Sequence, residues 1–541
     1  MVCKCVSAPP AVRYSIFIKG GVVSAPSPRN GSGFNPIEFD LWCNVFSLNH
    51  AVRLPKFNDI TFSFHTDSMK FLNNHPSKKA ILTMAISLLC ASSPLFASDD
   101  PLALHEDIPR PEQWSKLTHG GRFMDLILPA PIHLGLETDT WGAEAVRPRD
   151  IHNGIEDPEW SYWGGRSILE PDGTYHLFIC RWREDDPRGH DAWPSSQIVH
   201  ATSKRPTGPF EVLAEVGPGH FPEIHRLPDG TYAIYHFHGA YLSEDIHGPW
   251  KHVTREDFGF PDILFGSMDV REDGSLLMMD RIQRVLIKEK DSDKFVMVNG
   301  KEVIPERKPK YAYEDPMIWK TEVQYHLIVN DWHGRVASHL RSKDGVHWKE
   351  DPGEAYTIDF DRYEDSTKVG WYKYERCKVV QDQHGRPTHL HFAVIDVPKK
   401  RDLTKDGHSS KNIVLPLVVE RRLEMLDPGK VTDKTKEIRL LIKAEAGFDP
   451  RRDVDVESLR FGASEAVDYG GGCKAVGSAI SGNDLVVTFD ASGHGFTSDN
   501  FAGKLLGKDA KGKLLYGYSR LPWVDYSPYV IDKSGEGKGK P

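Results

Sequence analysis

One short motif returns along this chain at a period that few folds can accommodate. Trp163-Gly-Gly-Arg-Ser-Ile-Leu-Glu-Pro-Asp-Gly-Thr-Tyr175 is followed by His220-Phe-Pro-Glu-Ile-His-Arg-Leu-Pro-Asp-Gly-Thr-Tyr232. A third copy is Leu264-Phe-Gly-Ser-Met-Asp-Val-Arg-Glu-Asp-Gly-Ser-Leu276. A fourth runs from Glu314-Asp-Pro-Met-Ile-Trp319 to Tyr325, and a fifth from Glu375-Arg376 to Thr388-His389. Asp-Gly between apolar runs is a strong short-range signal for a β-hairpin. The copies start at 163, 220, 264, 314 and 375, and further strand-like sequence follows each hairpin. Four short strands per unit, repeated about every 40–60 residues, predict a β-propeller rather than a sandwich. Five units predict five blades within 151–428.

From about Thr432 the pattern changes. Lys436–Lys443, Val454–Gly462, Asp484–Asp490 and Lys513–Tyr518 alternate apolar and polar residues between glycine-rich turns. This predicts a smaller antiparallel β-sandwich over 432–528, followed by a solvated tail at 529–541. The expected class is all-β, and 83 glycines and prolines together suit it. A net charge of −9 argues against nucleic acid as a partner.

The front of the chain reads differently. Lys78-Lys79 precede a short apolar run, Ala80–Ala97, and Ser98-Asp99-Asp100 follow it. Pro94 and the shortness of the run argue against a membrane span. The pattern is that of a secretory signal peptide over 69–97. Translation starting at Met69 would make 1–68 a start-site artefact, and 98–150 a lead into the propeller. The protein is then expected outside the cytoplasm, secreted or periplasmic. Three of the seven cysteines follow the leader, at 180, 377 and 473, so no disulfide framework is expected.

In a propeller the innermost strand of each blade lines a central channel. Aligning the hairpins places Trp163, His220, Leu264, Glu314 and Glu375 at the channel mouth. The next ring is Gly164, Phe221, Phe265, Asp315 and Arg376. Acids, arginine and histidine in so narrow a space predict a polar site, and crowded carboxyls there raise one another's pKa.

Glu314-Asp-Pro-Met-Ile-Trp, Glu375-Arg followed by Gly385-Arg-Pro-Thr-His-Leu, and His220-x-Pro before an Asp-Gly hairpin resemble the five-bladed glycosidases around glycoside hydrolase family 43 and relatives such as family 117. The resemblance covers about 157–425. It implies hydrolysis of glycosidic bonds in a plant or algal polysaccharide or oligosaccharide by acid/base catalysis with inversion. Glu314 falls on the family's general acid. The base and the residue that tunes the acid do not match cleanly. Blade one opens with Trp163 rather than Asp, so Asp157 is the candidate base. Blade three opens with Leu264, so Asp262 is the candidate tuning acid, in preference to the deeper Asp269. Because some relatives use a histidine acid, His220 and His333 stand as alternatives for that role. Trp163, Arg166, Trp182, His220, Asp315, Trp332, His333, Glu375 and Arg376 are the expected carbohydrate ligands. No cofactor is required; the resemblance alone allows a structural Ca²⁺ in the channel. Two other readings stay open: a propeller that binds carbohydrate without cleaving it, and a polysaccharide lyase with a His or Tyr base. The oligomeric state is not legible.

Overall fold

A computed structural model describes residues 110–301, 303 and 313–531. The leader and start-site readings over 1–97 lie outside these residues, as does most of the 529–541 tail. Within the described residues, no helix is long and apolar enough to cross a membrane.

The chain is all-β and forms five blades. The innermost strands are Trp160–Leu169, Glu223–Arg226, Phe265–Val270, Tyr313–Lys320 and Lys373–Gln381. Blades one to four are four-stranded antiparallel meanders; blade five has three strands of its own. Its third strand, Ser410–Pro416, is edged by chain that precedes blade one: Ile155 bridges Asn412, and Ile127 bridges Leu417. The ring is thus closed by early sequence laid against the last blade. That covers the exposed edge an open sheet would offer to other chains.

The repeated turns share one device. Asp172, Asp229 and Asp273 each accept a hydrogen bond from the backbone N–H two residues on, at 2.8–3.0 Å. Gly173, Gly230 and Gly274 follow in left-handed conformation, with φ between 79° and 92°. The aspartate builds the turn and the glycine closes it at no steric cost.

The C-terminal region is a separate seven-stranded sheet that closes on itself as a barrel. All its pairings are antiparallel except one: Arg421–Met425 runs parallel to Leu514–Arg520. Alternating patterns in sequence fix the faces of such strands but not whether two layers join at their edges. The barrel has its own apolar interior, with Ile438, Leu440, Phe461, Val487 and Phe489 fully buried.

Candidate active site at the channel mouth

The innermost strands carry a recurrent irregularity. Their pairing registers slip between Trp163 and Gly165, between Glu314 and Met317, and between Glu375 and Lys378. Within those slips Gly164, Asp315 and Arg376 adopt φ of 51°, 59° and 52°, and Phe221, just ahead of the innermost strand of blade two, adopts 61°. These are four of the five residues that the hairpin alignment placed in one ring. A left-handed conformation costs a residue bearing a Cβ about 1–2 kcal/mol. The group holds itself in place. The Arg376 guanidinium lies 4.1 Å from the Phe221 ring centroid and forms an ion pair with Asp315 at 2.5 Å. A Cβ on Gly164 would stand 3.2 Å from both Arg376 and Phe221.

Three carboxyls meet here. Glu314, Asp315 and Glu375 each offer an oxygen within 4.8 Å of the others, and all are buried. Four cations surround them. Arg281 donates to Glu314, Arg376 pairs with Asp315, and both Lys373 and Lys399 hold Glu375. The carboxyls respond in opposite directions. Burial, with Asp315 and Glu375 as close anions, pushes Glu314 up to about 8. Burial also raises Asp315, against the opposing pull of Arg376. Glu375 is buried too, yet its two lysines hold it well below the ordinary carboxylate range. At neutral pH the mouth therefore holds a protonated Glu314 beside an ionised Glu375. Three carboxyls are the donor type a channel cation needs; neither Asp315 oxygen makes a hydrogen bond among the described residues, while four protein cations balance the charge of the group.

The other expected site residues are dispersed. His220 is buried with its Nδ1 2.9 Å from Ser196 Oγ, against Trp182, Trp193 and Phe237. Burial lowers its pKa well, so it is neutral. His333 is half-buried, and burial lowers its pKa against Asp331. Trp332 is 48% exposed and carries Arg281 4.6 Å from its ring centroid. Trp163 and Trp182 are buried; Lys399 lies 4.7 Å from the Trp163 ring and His190 packs on both edges. Both are closed off from a sugar, whereas Trp332 and the 36% exposed Trp193 reach solvent.

Asp157 sits at the start of blade one. Its Oδ1 accepts from the backbone N–H groups of Glu159 and Trp160, and its Oδ2 accepts from Tyr162 at 2.5 Å. The adjacent acids are engaged as well, Glu156 with Arg149 and Lys411 and Glu159 with Arg183. Asp262 is exposed. Asp269 lies deeper, where burial raises it to about 6.

Arg166, expected as a substrate ligand, belongs to a second ring three residues further into each strand: Arg166, Glu223, Ser267, Met317 and Lys378. Glu223 is its centre. It accepts from Lys378 at 2.7 Å, from Ser267 at 3.1 and 3.2 Å, and from Arg166 at 3.3 Å, with His225 Nε2 at 3.1 Å. Burial acts to raise Glu223, but these partners hold it down at about 2. This ring was readable from the hairpin register, by adding three to each mouth position. Arg281, Lys373, Lys399 and Trp193 were missed. Arg281 and Lys399 follow the second strands of blades three and five, as Trp332 follows that of blade four; those loops return to the mouth.

No family model and no curated protein matches this chain. Solved structures similar to it include a family 117 glycoside hydrolase of the marine bacterium Zobellia galactanivorans, at 14% identity over 49% of this chain and 88% of that one, with TM-score 0.34. A family 43 β-1,3-galactosidase is 14% identical over 70% of this chain and 79% of that one, with TM-score 0.35. An α-L-arabinofuranosidase of Lactobacillus brevis is 13% identical over 48% of this chain and 92% of that one, with TM-score 0.33.

Proposed function

We propose that this chain is an exported glycoside hydrolase that cleaves glycosidic bonds of a plant or algal oligosaccharide or polysaccharide, with Glu314 as its general acid. One observation carries the reading: three buried carboxyls, Glu314, Asp315 and Glu375, meet within 4.8 Å at the mouth of a propeller channel, an arrangement that raises Glu314 while lysines keep Glu375 low. Expelling a sugar alkoxide at neutral pH needs a proton donor, and a carboxyl raised into this range supplies one. In the proposed step the Glu314 proton passes to the glycosidic oxygen as the C1–O bond breaks. The bond's electron pair stays on that oxygen, while a water molecule adds its oxygen to C1 and gives up one proton to a carboxylate base. Arg281 donates to one Glu314 oxygen, which leaves the other for the proton. Trp332 and Trp193 supply apolar faces for pyranose rings.

Inversion requires a second carboxyl about 6.5–9.5 Å from the acid, with room for water between. Asp315 and Glu375 offer oxygens within 4.8 Å of the others in the triad, nearer than that span. Asp157 is the acid the sequence offers for the longer distance, and its asparagine variant tests it. Export rests on the Lys78–Ala97 pattern.

The test is product analysis on a panel of plant and marine glycans, comparing the parent with Glu314→Gln. Reducing-end release by the parent, largely lost in the variant, is expected. Tight glycan binding without turnover would make the propeller a binding module. Products with a new near-ultraviolet absorbance would make it a lyase.

A further inference from the structure

Away from the channel, three histidines converge where blade one meets blade two. His176 lies on the second strand of blade one, Tyr175–Arg183, and His200 on its third, Gln197–Ser203. His247 lies in the turn before the outer strand of blade two, Lys251–Thr254. One nitrogen from each ring lies within 4.8 Å of the others. His176 Nδ1 and His200 Nε2 are 2.8 Å apart. The His247 ring centroid is 5.3 Å from that of His176 and 5.4 Å from that of His200. His176 and His200 are buried, whereas His247 is exposed. The cluster is therefore closed on the protein side and open to water on the other.

We propose that His176, His200 and His247 bind a divalent transition-metal ion of the zinc class, with solvent in the fourth position. Imidazole nitrogen is a preferred ligand for Zn²⁺. Tetrahedral Zn–N bonds of about 2.0–2.1 Å set neighbouring nitrogens about 3.3 Å apart. The His176–His200 pair has to open by about half an ångström to reach that spacing. The N–H shared by the facing nitrogens moves to the outer nitrogen of its own ring, a change of tautomer with no net proton released. Phe178 stacks on His200 at 4.6 Å and 11°, and Trp250 packs edge-on against Phe178, so the inner ligand is oriented by packing. Glu170 and Asp172 add negative potential at His176, while Lys204 opposes them. An ion here would join two strands of blade one to a turn of blade two. It would act as a staple between blades rather than as part of the chemistry at the mouth.

The experiment is calorimetric titration of the metal-stripped full-length protein with ZnCl₂, for the parent and His247→Ala. His247 is exposed; its backbone N–H donates to Asp245 and its ring meets the two other histidines of the cluster, so the variant is expected to keep the fold. The parent is expected to bind one more equivalent than the variant, or the same equivalent at least about tenfold more tightly. Zn²⁺ is expected to raise the parent's Tm more than the variant's. Co²⁺ substitution is expected to give the visible bands of a tetrahedral imidazole site in the parent alone. Glycan hydrolysis is expected to be unchanged in the variant. Equal stoichiometry and affinity in the two proteins, or no binding by the parent at micromolar Zn²⁺, would overturn the proposal.

Discussion

Two rings of the same five strands bury carboxyls three residues apart, and they treat them in opposite ways. In the inner ring Glu223 is surrounded by donors: Lys378, Ser267, Arg166 and His225. It is held at about 2 and stays ionised. At the mouth three carboxyls compete for a space that burial has also dried. Glu314 rises to about 8, and both oxygens of Asp315 lack hydrogen-bond geometry despite the nearby Arg376. Burial is common to both rings, so burial alone does not decide protonation. The balance of donors and like charges does. A satisfied ring holds blades together. An unsatisfied one stores proton affinity and backbone strain, which is where catalysis is expected.

The comparison breaks most sharply at Glu314 and Lys378. Glu314→Gln keeps the shape and removes the proton; kcat is expected to fall about 10²–10⁴-fold with little change in Tm. Measured turnover and a thermal melt on the same samples check this, and a large drop in Tm would place Glu314 with the structural ring instead. Lys378→Met should behave in reverse. It strands the buried Glu223 carboxylate, so urea unfolding is expected to show a loss of about 3–5 kcal/mol, while kcat of the folded protein changes little.

The pH profile sharpens the contrast. Glu314 must be protonated to act, so kcat is expected to fall as pH rises through about 8, as a macroscopic property of the coupled mouth carboxyls. Arg281 lowers the Glu314 pKa. Arg281→Met should therefore move the alkaline limb to higher pH, and a shift downward would contradict the electrostatic account. For stability the signs differ between rings. A raised Glu314 favours the folded state below the unfolded value of 4.5 and loses that contribution as pH climbs through about 8. Glu223, depressed to about 2, contributes above 4.5 and loses its contribution as pH falls toward 2.

The smallest effect is expected at Asp157. Its carboxylate already accepts three hydrogen bonds at the start of blade one. Asp157→Asn is expected to lower kcat by no more than about tenfold, well short of a lost general base. A loss equal to that of Glu314→Gln would instead make Asp157 the base and the reaction inverting.

Much of this was legible along the chain. The Asp-Gly turns set the period, the period set five blades, and the hairpin register put Glu314, Asp315, Glu375 and Arg376 together. Those residues lie on innermost strands, where local pattern and channel position are tied by a two-residue repeat and a common turn. Arg281, Lys399 and Trp193 escaped because they sit in loops of unequal length with no shared register. Arg166 and Trp163 were placed on the right strands, but the sequence did not show that Glu223 and Lys399 already engage them.

The sequence by itself determined the architecture, because hairpin chemistry and strand alternation are local and repeat five times. It also grouped Glu314, Asp315 and Glu375 at the mouth, although it offered Asp157 and Asp262 as site acids beside them and passed over Glu223. Only the tertiary structure decided which of them keeps its proton. That depends on cations from other blades arriving within a few ångströms in a medium that screens poorly. The same holds for the three histidines at the blade one–blade two seam. They come from three separate segments, and only their convergence makes them a set.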